Sequence, residues 1–270
     1  MLRQRVVTAI AGVLVLVIVI FLLPTRIALA AYAIAILFGA WEWSALARLT
    51  GVWARIGYVA LLALLMVLAS RYAVAPANYL QLLILAALWW LTALIWLVFV
   101  PQRVSRIAAG IAGVLALTPA WAALSQLHVQ SSQGPSLVFY LLCLVWAADI
   151  GAYFIGKQFG QRRLAPYVSP NKTWEGVAGG LAGAALTATI GAQVFSAPAL
   201  TFILLSMAVA AASIVGDLTE SMFKRFAGLK DSGSFIPGHG GLLDRIDSLT
   251  AALPLFVLGL ALLGDRLWSA

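Results

Sequence analysis

Val6 to Leu23 reads VVTAIAGVLVLVIVIFLL, a run without a charged residue. It is long enough for a helix to cross about 30 Å of hydrocarbon. Arg3 and Arg5 precede it and Ala28-Leu29-Ala30 follows, which imitates a secretory signal. The run is longer than the apolar segment of such a signal, and a second one follows almost at once, so a retained first span is expected. Similar runs recur along the chain. Of 270 residues, 63% are hydrophobic and only 10% charged, which excludes a soluble globular domain.

The expected fold is therefore all-α: a polytopic transmembrane helical bundle of about nine spans. They fall near 6–23, 27–47, 56–72, 79–100, 104–125, 137–156, 175–195, 199–217 and 249–264. Pro24, Pro76, Pro101, Pro135 and Pro198 lie at or near the breaks, where a missing backbone N–H matters least. With a cytoplasmic N-terminus, fourteen of the seventeen basic residues fall on the inside; only Arg26, Arg71 and Arg266 fall outside. That asymmetry fits an N-in, C-out chain. The net charge of +8 sits in loops, where it sets orientation and attracts anionic headgroups or a polyanionic substrate; no nucleic-acid partner is expected. Cys143 is the single cysteine, in an apolar run, and reads as a packing residue.

Acidic residues divide the chain. Glu42 stands alone in the first half, and the other eight lie from Asp149 onward. Residues 1–136 read as a scaffold of about five spans, and 137–270 as a catalytic region with a cytoplasmic loop over 217–248. That stretch, DLTESMFKRFAGLKDSGSFIPGHGGLLDRIDS, holds five of the nine acidic residues. In the seventh span, Gly176, Gly180 and Ala184 share small-residue spacing, as do Gly179 and Gly183, which permits close helix contact in lipid.

Asp217, Glu220, Ser221 and Lys224 share one helical face that begins at membrane depth. A carboxylate there pairs with a cation, as a ligand set or as a plain Asp–Lys ladder. Lys230 and Asp231 lead into a segment with Gly233, Pro237, Gly238, His239, Gly240 and Gly241, too rich in breakers for a helix. Such a loop can offer backbone N–H groups to phosphate, although it lacks P-loop spacing. Asp244 and Asp247, three apart, project together at the start of the last span. With Asp217 they can hold one or two Mg²⁺ ions, or simply favour the helix dipole, with Arg245 neutralising them. Asp149, deep in span six, is a functional carboxylate or a structural hydrogen-bond acceptor. Ser169-Pro170-Asn171-Lys172-Thr173-Trp174-Glu175-Gly176 offers Ser169, Lys172, Thr173 and Glu175 at a helix start, for anion binding or for a plain cap. His128, in a neutral outside loop, and Glu42 are given no role.

These residues resemble a known family. SerMetPheLysArg (221–225), LysAspSerGlySerPheIlePro (230–237), HisGlyGly (239–241) and AspArgIleAsp (244–247) resemble the signature of phosphatidate cytidylyltransferase, the CDP-diacylglycerol synthase family. The 169–176 segment is similar to its upstream SPxKTxEG element, and Asp149 falls where the family carries an intramembrane aspartate. The resemblance implies transfer of CMP from CTP to phosphatidic acid, with release of pyrophosphate. It also implies Mg²⁺, a second monovalent cation such as K⁺, and a homodimer in the bacterial inner membrane. The expected metal ligands are Asp149, Asp217, Asp244 and Asp247. Lys224, Ser221, Arg225, Lys230, Asp231, Arg245 and Lys172 would meet the triphosphate or the lipid headgroup, Gly240 and Gly241 would approach phosphate, and His239 would orient phosphate or assist proton transfer. The rival readings are a CTP-dependent polyprenol or phytol kinase, a CDP-archaeol synthase, and, from another class, a cation-coupled transporter with an Asp149–Asp217 relay.

Overall fold

The computed structural model describes residues 2–235 and 240–263. Nine helices follow in order among them. They are α1 (Leu2–Val17, continued by a π-helical turn, Ile18–Leu22), α2 (Thr25–Leu46), α3 (Val52–Tyr72), α4 (Pro76–Phe99), α5 (Arg106–Val129), α6 (Gly134–Phe159), α7 (Trp174–Val194), α8 (Ala199–Ala227) and α9 (Leu243–Leu263). Eight, from α2 to α9, are long and apolar enough to span a membrane. The expected order of helices holds, with α1 the one helix not among the eight.

Their ends follow local rules. Pro76 opens α4, where its missing N–H costs nothing. Ser105 caps α5 by accepting from Ala108 N at 3.2 Å, and Thr173 caps α7 by accepting from Gly176 N at 3.1 Å. Helix α8 runs ten residues past the expected end at 217. It stops where Gly228 takes φ +76°, with Leu229 N donating to Lys224 O and Gly228 N to Arg225 O. This paired C-terminal pattern needs a left-handed residue, and glycine adopts it without strain.

Two features depart from the sequence reading. A small antiparallel hairpin, β1 (Arg163–Ala165) and β2 (Ser169–Thr173), stands between α6 and α7. His128 is no loop residue: it lies in the last turn of α5, 5% exposed, with Nδ1 3.2 Å from Tyr32 Oη.

Connections alternate in length. Short links, 23–24, 73–75, 130–133 and 195–198, lie at one end of the bundle; the longer ones, 47–51, 100–105, 160–173 and, as far as described, 228–235 with 240–242, lie at the other. The core runs between them without a break at the middle of the chain. Helices α4 and α5 pack on α9, and α4 also packs on α8. Around Tyr140, Phe195, Phe202 and Phe256 stack near the short-link end, while Trp43 and Trp96 both meet Phe223 near the other.

Helices α6 and α7 form the closest pair. An added Cβ at Gly180 would lie 2.9 Å from Ala148 O, and one at Gly179 only 2.5 Å from Ile155 Cβ. The small-residue spacing on α7 thus serves its contact with α6. Gly179→Ala should lower the melting temperature of the detergent-solubilised protein by several degrees, for about 1–3 kcal/mol of overpacking. Gly57→Ala, exposed on α3 with open space around its Cβ position, should leave it unchanged or slightly raised. Equal shifts would contradict this packing.

Candidate functional site

The long-connection end of the bundle gathers the charge. On α8 the 217, 220, 221 and 224 side chains share one face, as their spacing predicts. Asp217 pairs with the Lys172 ammonium from β2 and accepts from Ser221 Oγ at 3.3 Å. The 169–176 segment and the α8 face are therefore brought together. One turn on, Lys224 Nζ lies 3.0 Å from Glu220 Oε1 and 2.7 Å from Asp244 Oδ1 of α9. Lys224 is 9% exposed and Glu220 1%. A lysine buried this far holds its charge because two carboxylates meet it.

Asp244 is the hub of the loop. Besides Lys224 it accepts from Gly241 N at 2.8 Å and from Ser232 N at 3.0 Å. Gly240 takes φ +82° to make this turn. The expectation that Gly241 offers a backbone donor to phosphate is corrected here, because that N–H is spent on Asp244. The next two amides are spent as well. Leu242 N donates to Glu42 Oε1 at 3.1 Å and Leu243 N to Glu42 Oε2 at 2.6 Å. Glu42, given no role from sequence and placed in a half expected to be purely structural, thus reaches the site from α2. The signal that pointed to it was its isolation: a lone carboxylate among apolar spans has to be matched by donors.

Other predicted residues divide between structure and rim. Glu175 accepts from Gln161 N at 3.1 Å and Arg162 N at 3.2 Å, which ties down the turn before β1. Thr173 is the cap of α7, and Ser169 starts β2 opposite Ala165. Arg225 Nε donates to Val168 O at 3.2 Å, fastening α8 to the hairpin. For Thr173 the bond is that of the plain cap. Lys230, Asp231 and Arg245 are exposed. Asp149 is also exposed, within electrostatic range of Asp217, Lys172 and Arg245. Asp247 is 9% exposed and lies within range of Asp217, Lys172 and Lys224. His239 lies outside the described residues.

Among the described residues no three Asp, Glu, His or Cys side chains converge as a ready-made metal site. Asp149, Asp217, Asp244 and Asp247 are not assembled as one ligand set, since Asp244 is turned to the loop. Carboxylates are nonetheless in the majority. Asp149, Asp217, Glu220, Asp244 and Asp247 interact with one another and with Lys172, Lys224 and Arg245. Mg²⁺ typically binds through one or two carboxylates and completes its shell with water and substrate phosphate, so this donor set fits such an ion.

A many-span helical bundle with an ionic centre at one end is the build of a membrane-embedded transferase. The cytidylyltransferase family matches residues 3–263, and the chain belongs to that family. It is 43% identical to the phosphatidate cytidylyltransferase of Pseudomonas aeruginosa over 100% of both chains. It is 42% identical to that of Haemophilus influenzae, over 95% of this chain and 97% of the relative. The Bacillus subtilis enzyme of the same name is 44% identical over 131 residues, about half of each chain.

Lys224→Met should cost about 3–5 kcal/mol, because it strands Glu220 and Asp244 without a counter-charge. Adding Glu220→Gln should recover part of that loss. Thermal unfolding of the purified variants checks both, and an unchanged Lys224→Met midpoint would contradict the buried bridge.

Proposed function

We infer that the chain is a CTP-dependent nucleotidyltransferase that moves the cytidylyl group of CTP onto phosphatidate, giving CDP-diacylglycerol and pyrophosphate. The observation that carries this reading is a carboxylate-rich ionic centre at one end of a membrane bundle related end to end to enzymes of that name. The fourteen-to-three division of basic residues supports a cytoplasmic location for this end, in a bacterial inner membrane. A homodimer is part of the same proposal.

The chemistry asks little of a base. A phosphatidate oxygen, already anionic, attacks the α-phosphorus of CTP; the new P–O bond forms as the bond to the β-phosphate oxygen breaks. The main obstacle is bringing two anions together. Lys230 and Arg245, exposed on the rim, are placed to attract both. Lys172 holds Asp217 and lies within electrostatic range of Asp149 and Asp247. Lys224 is spent on Glu220 and Asp244, so its part is to hold α8 and α9 in register. Asp217 and Asp247, with Asp149, would hold Mg²⁺, which supplies charge screening and orients the triphosphate. A monovalent cation beside it belongs to this proposal.

Purified protein given α-labelled CTP, phosphatidic acid and Mg²⁺ should move label into the organic phase. EDTA, or Asp247→Asn in a folded sample, should reduce that at least about 100-fold, the scale of losing charge stabilisation at a reacting phosphate. Transfer of γ-label to a lipid alcohol would instead establish a kinase. Ion flux without movement of either label would establish a transporter.

A further inference from the structure

Glu42 is the only acidic residue before Asp149, and it is 4% exposed. Its carboxylate, four residues before the end of α2, takes three hydrogen bonds from the far end of the sequence. These come from Leu242 N, Leu243 N and Ser232 Oγ, the last at 3.1 Å. The first two are orphan amides of the kind every helix start exposes, here at α9. Helices meet that need with a side chain from their own Ncap. This one takes its cap from another helix, some two hundred residues away, and a full negative charge there also suits the helix dipole.

The surrounding sequence has been cut to fit this carboxylate. A Cβ on Gly233 would lie 2.9 Å from Glu42 Cδ, and one on Gly241 2.6 Å from Glu42 Oε1. Neither glycine has a positive φ, so backbone conformation does not demand them. The space does. Ser232 then links two carboxylates. Its hydroxyl donates to Glu42 and accepts from Asp244 N at 3.3 Å, while its backbone N–H donates to Asp244. Asp244 in turn receives Lys224. Glu42, Ser232, Asp244 and Lys224 make one connected polar network joining α2, the loop, α9 and α8.

We propose that Glu42 is a positioning residue for cytidylyl transfer. It fixes the first turn of α9, and with it Arg245 and Asp247, against the α8 face without touching a reacting group. The proposal rests on the functional reading above. A group that only stabilises the fold would change the amount of folded enzyme and leave each folded molecule as active as before. A positioning group changes turnover, since a shift near 1 Å at the reacting centre costs about 100-fold.

The test uses full-length protein in lipid–detergent micelles, with kcat, both KM values and the melting temperature measured on the same samples. Glu42→Gln keeps the shape, but its amide places N–H against N–H. It should lower kcat about 10–100-fold with KM for CTP and phosphatidate within about threefold. Glu42→Asp should recover part of kcat. Ser232→Ala, which removes only the hydroxyl link, should move kcat the same way, and the Glu42→Gln, Ser232→Ala pair should be less than additive. Wild-type kcat in the folded fraction of Glu42→Gln would overturn the proposal. If that variant does not fold, wild-type kcat in Ser232→Ala overturns it. Should the wild-type protein itself transfer no cytidylyl group, the functional reading fails and hydrogen exchange decides the remainder: the amides of 241–243 should exchange at least about tenfold faster in the folded variants, and unchanged exchange overturns the clamp as well.

Discussion

A carboxylate removed from water has to be met by a cation, by hydrogen-bond donors or by a proton, and the polar end of this bundle is organised by that requirement. Apolar spans can pack against one another in many registers, because lipid tails are as apolar as leucine. The ionic contacts have fewer solutions. Lys224 stands between Glu220 and Asp244, and it therefore sets α8 against α9. Lys172 on Asp217 brings in the hairpin. Glu42 carries α2 to the start of α9. These three contacts join separate elements, and each is anchored by a charge.

The same arithmetic bears on function. A site that has already spent its amides on its own carboxylates has little backbone left to offer a triphosphate. Gly241, Leu242 and Leu243 donate inward, and Asp244 N donates to Ser232. Among the described residues of the loop, Gly233 and Gly241 stand where side chains would collide. The rim carries exposed cationic side chains, Lys230 and Arg245, beside the carboxylates. Under the proposed function, a polyanion approaches such a site together with its own counter-ions.

Much of the fold was legible in the sequence because hydropathy acts through length alone. Nine apolar runs match the nine helices among the described residues, and prolines marked several of the breaks. The shared face of Asp217, Glu220, Ser221 and Lys224 was also legible, since helical periodicity is local. What the chain could not disclose was pairing. Glu175 reads as an anion-site residue until Gln161 and Arg162 are seen to donate to it. Gly241 reads as a phosphate donor until Asp244 is seen beside it. Glu42 could be read only as an anomaly, because its partners lie about two hundred residues on. The three-residue strand β1 was too short to show any period.

Under the proposed function, a divalent cation offsets the carboxylates gathered at this end of the protein when CTP enters. Equilibrium dialysis of labelled CTP against the purified protein, without lipid acceptor, tests it directly. The account predicts that CTP binds at least about tenfold more tightly, 1.4 kcal/mol, with Mg²⁺ than with EDTA, and that Asp217→Asn narrows the difference. Equal affinity with and without the ion would contradict it.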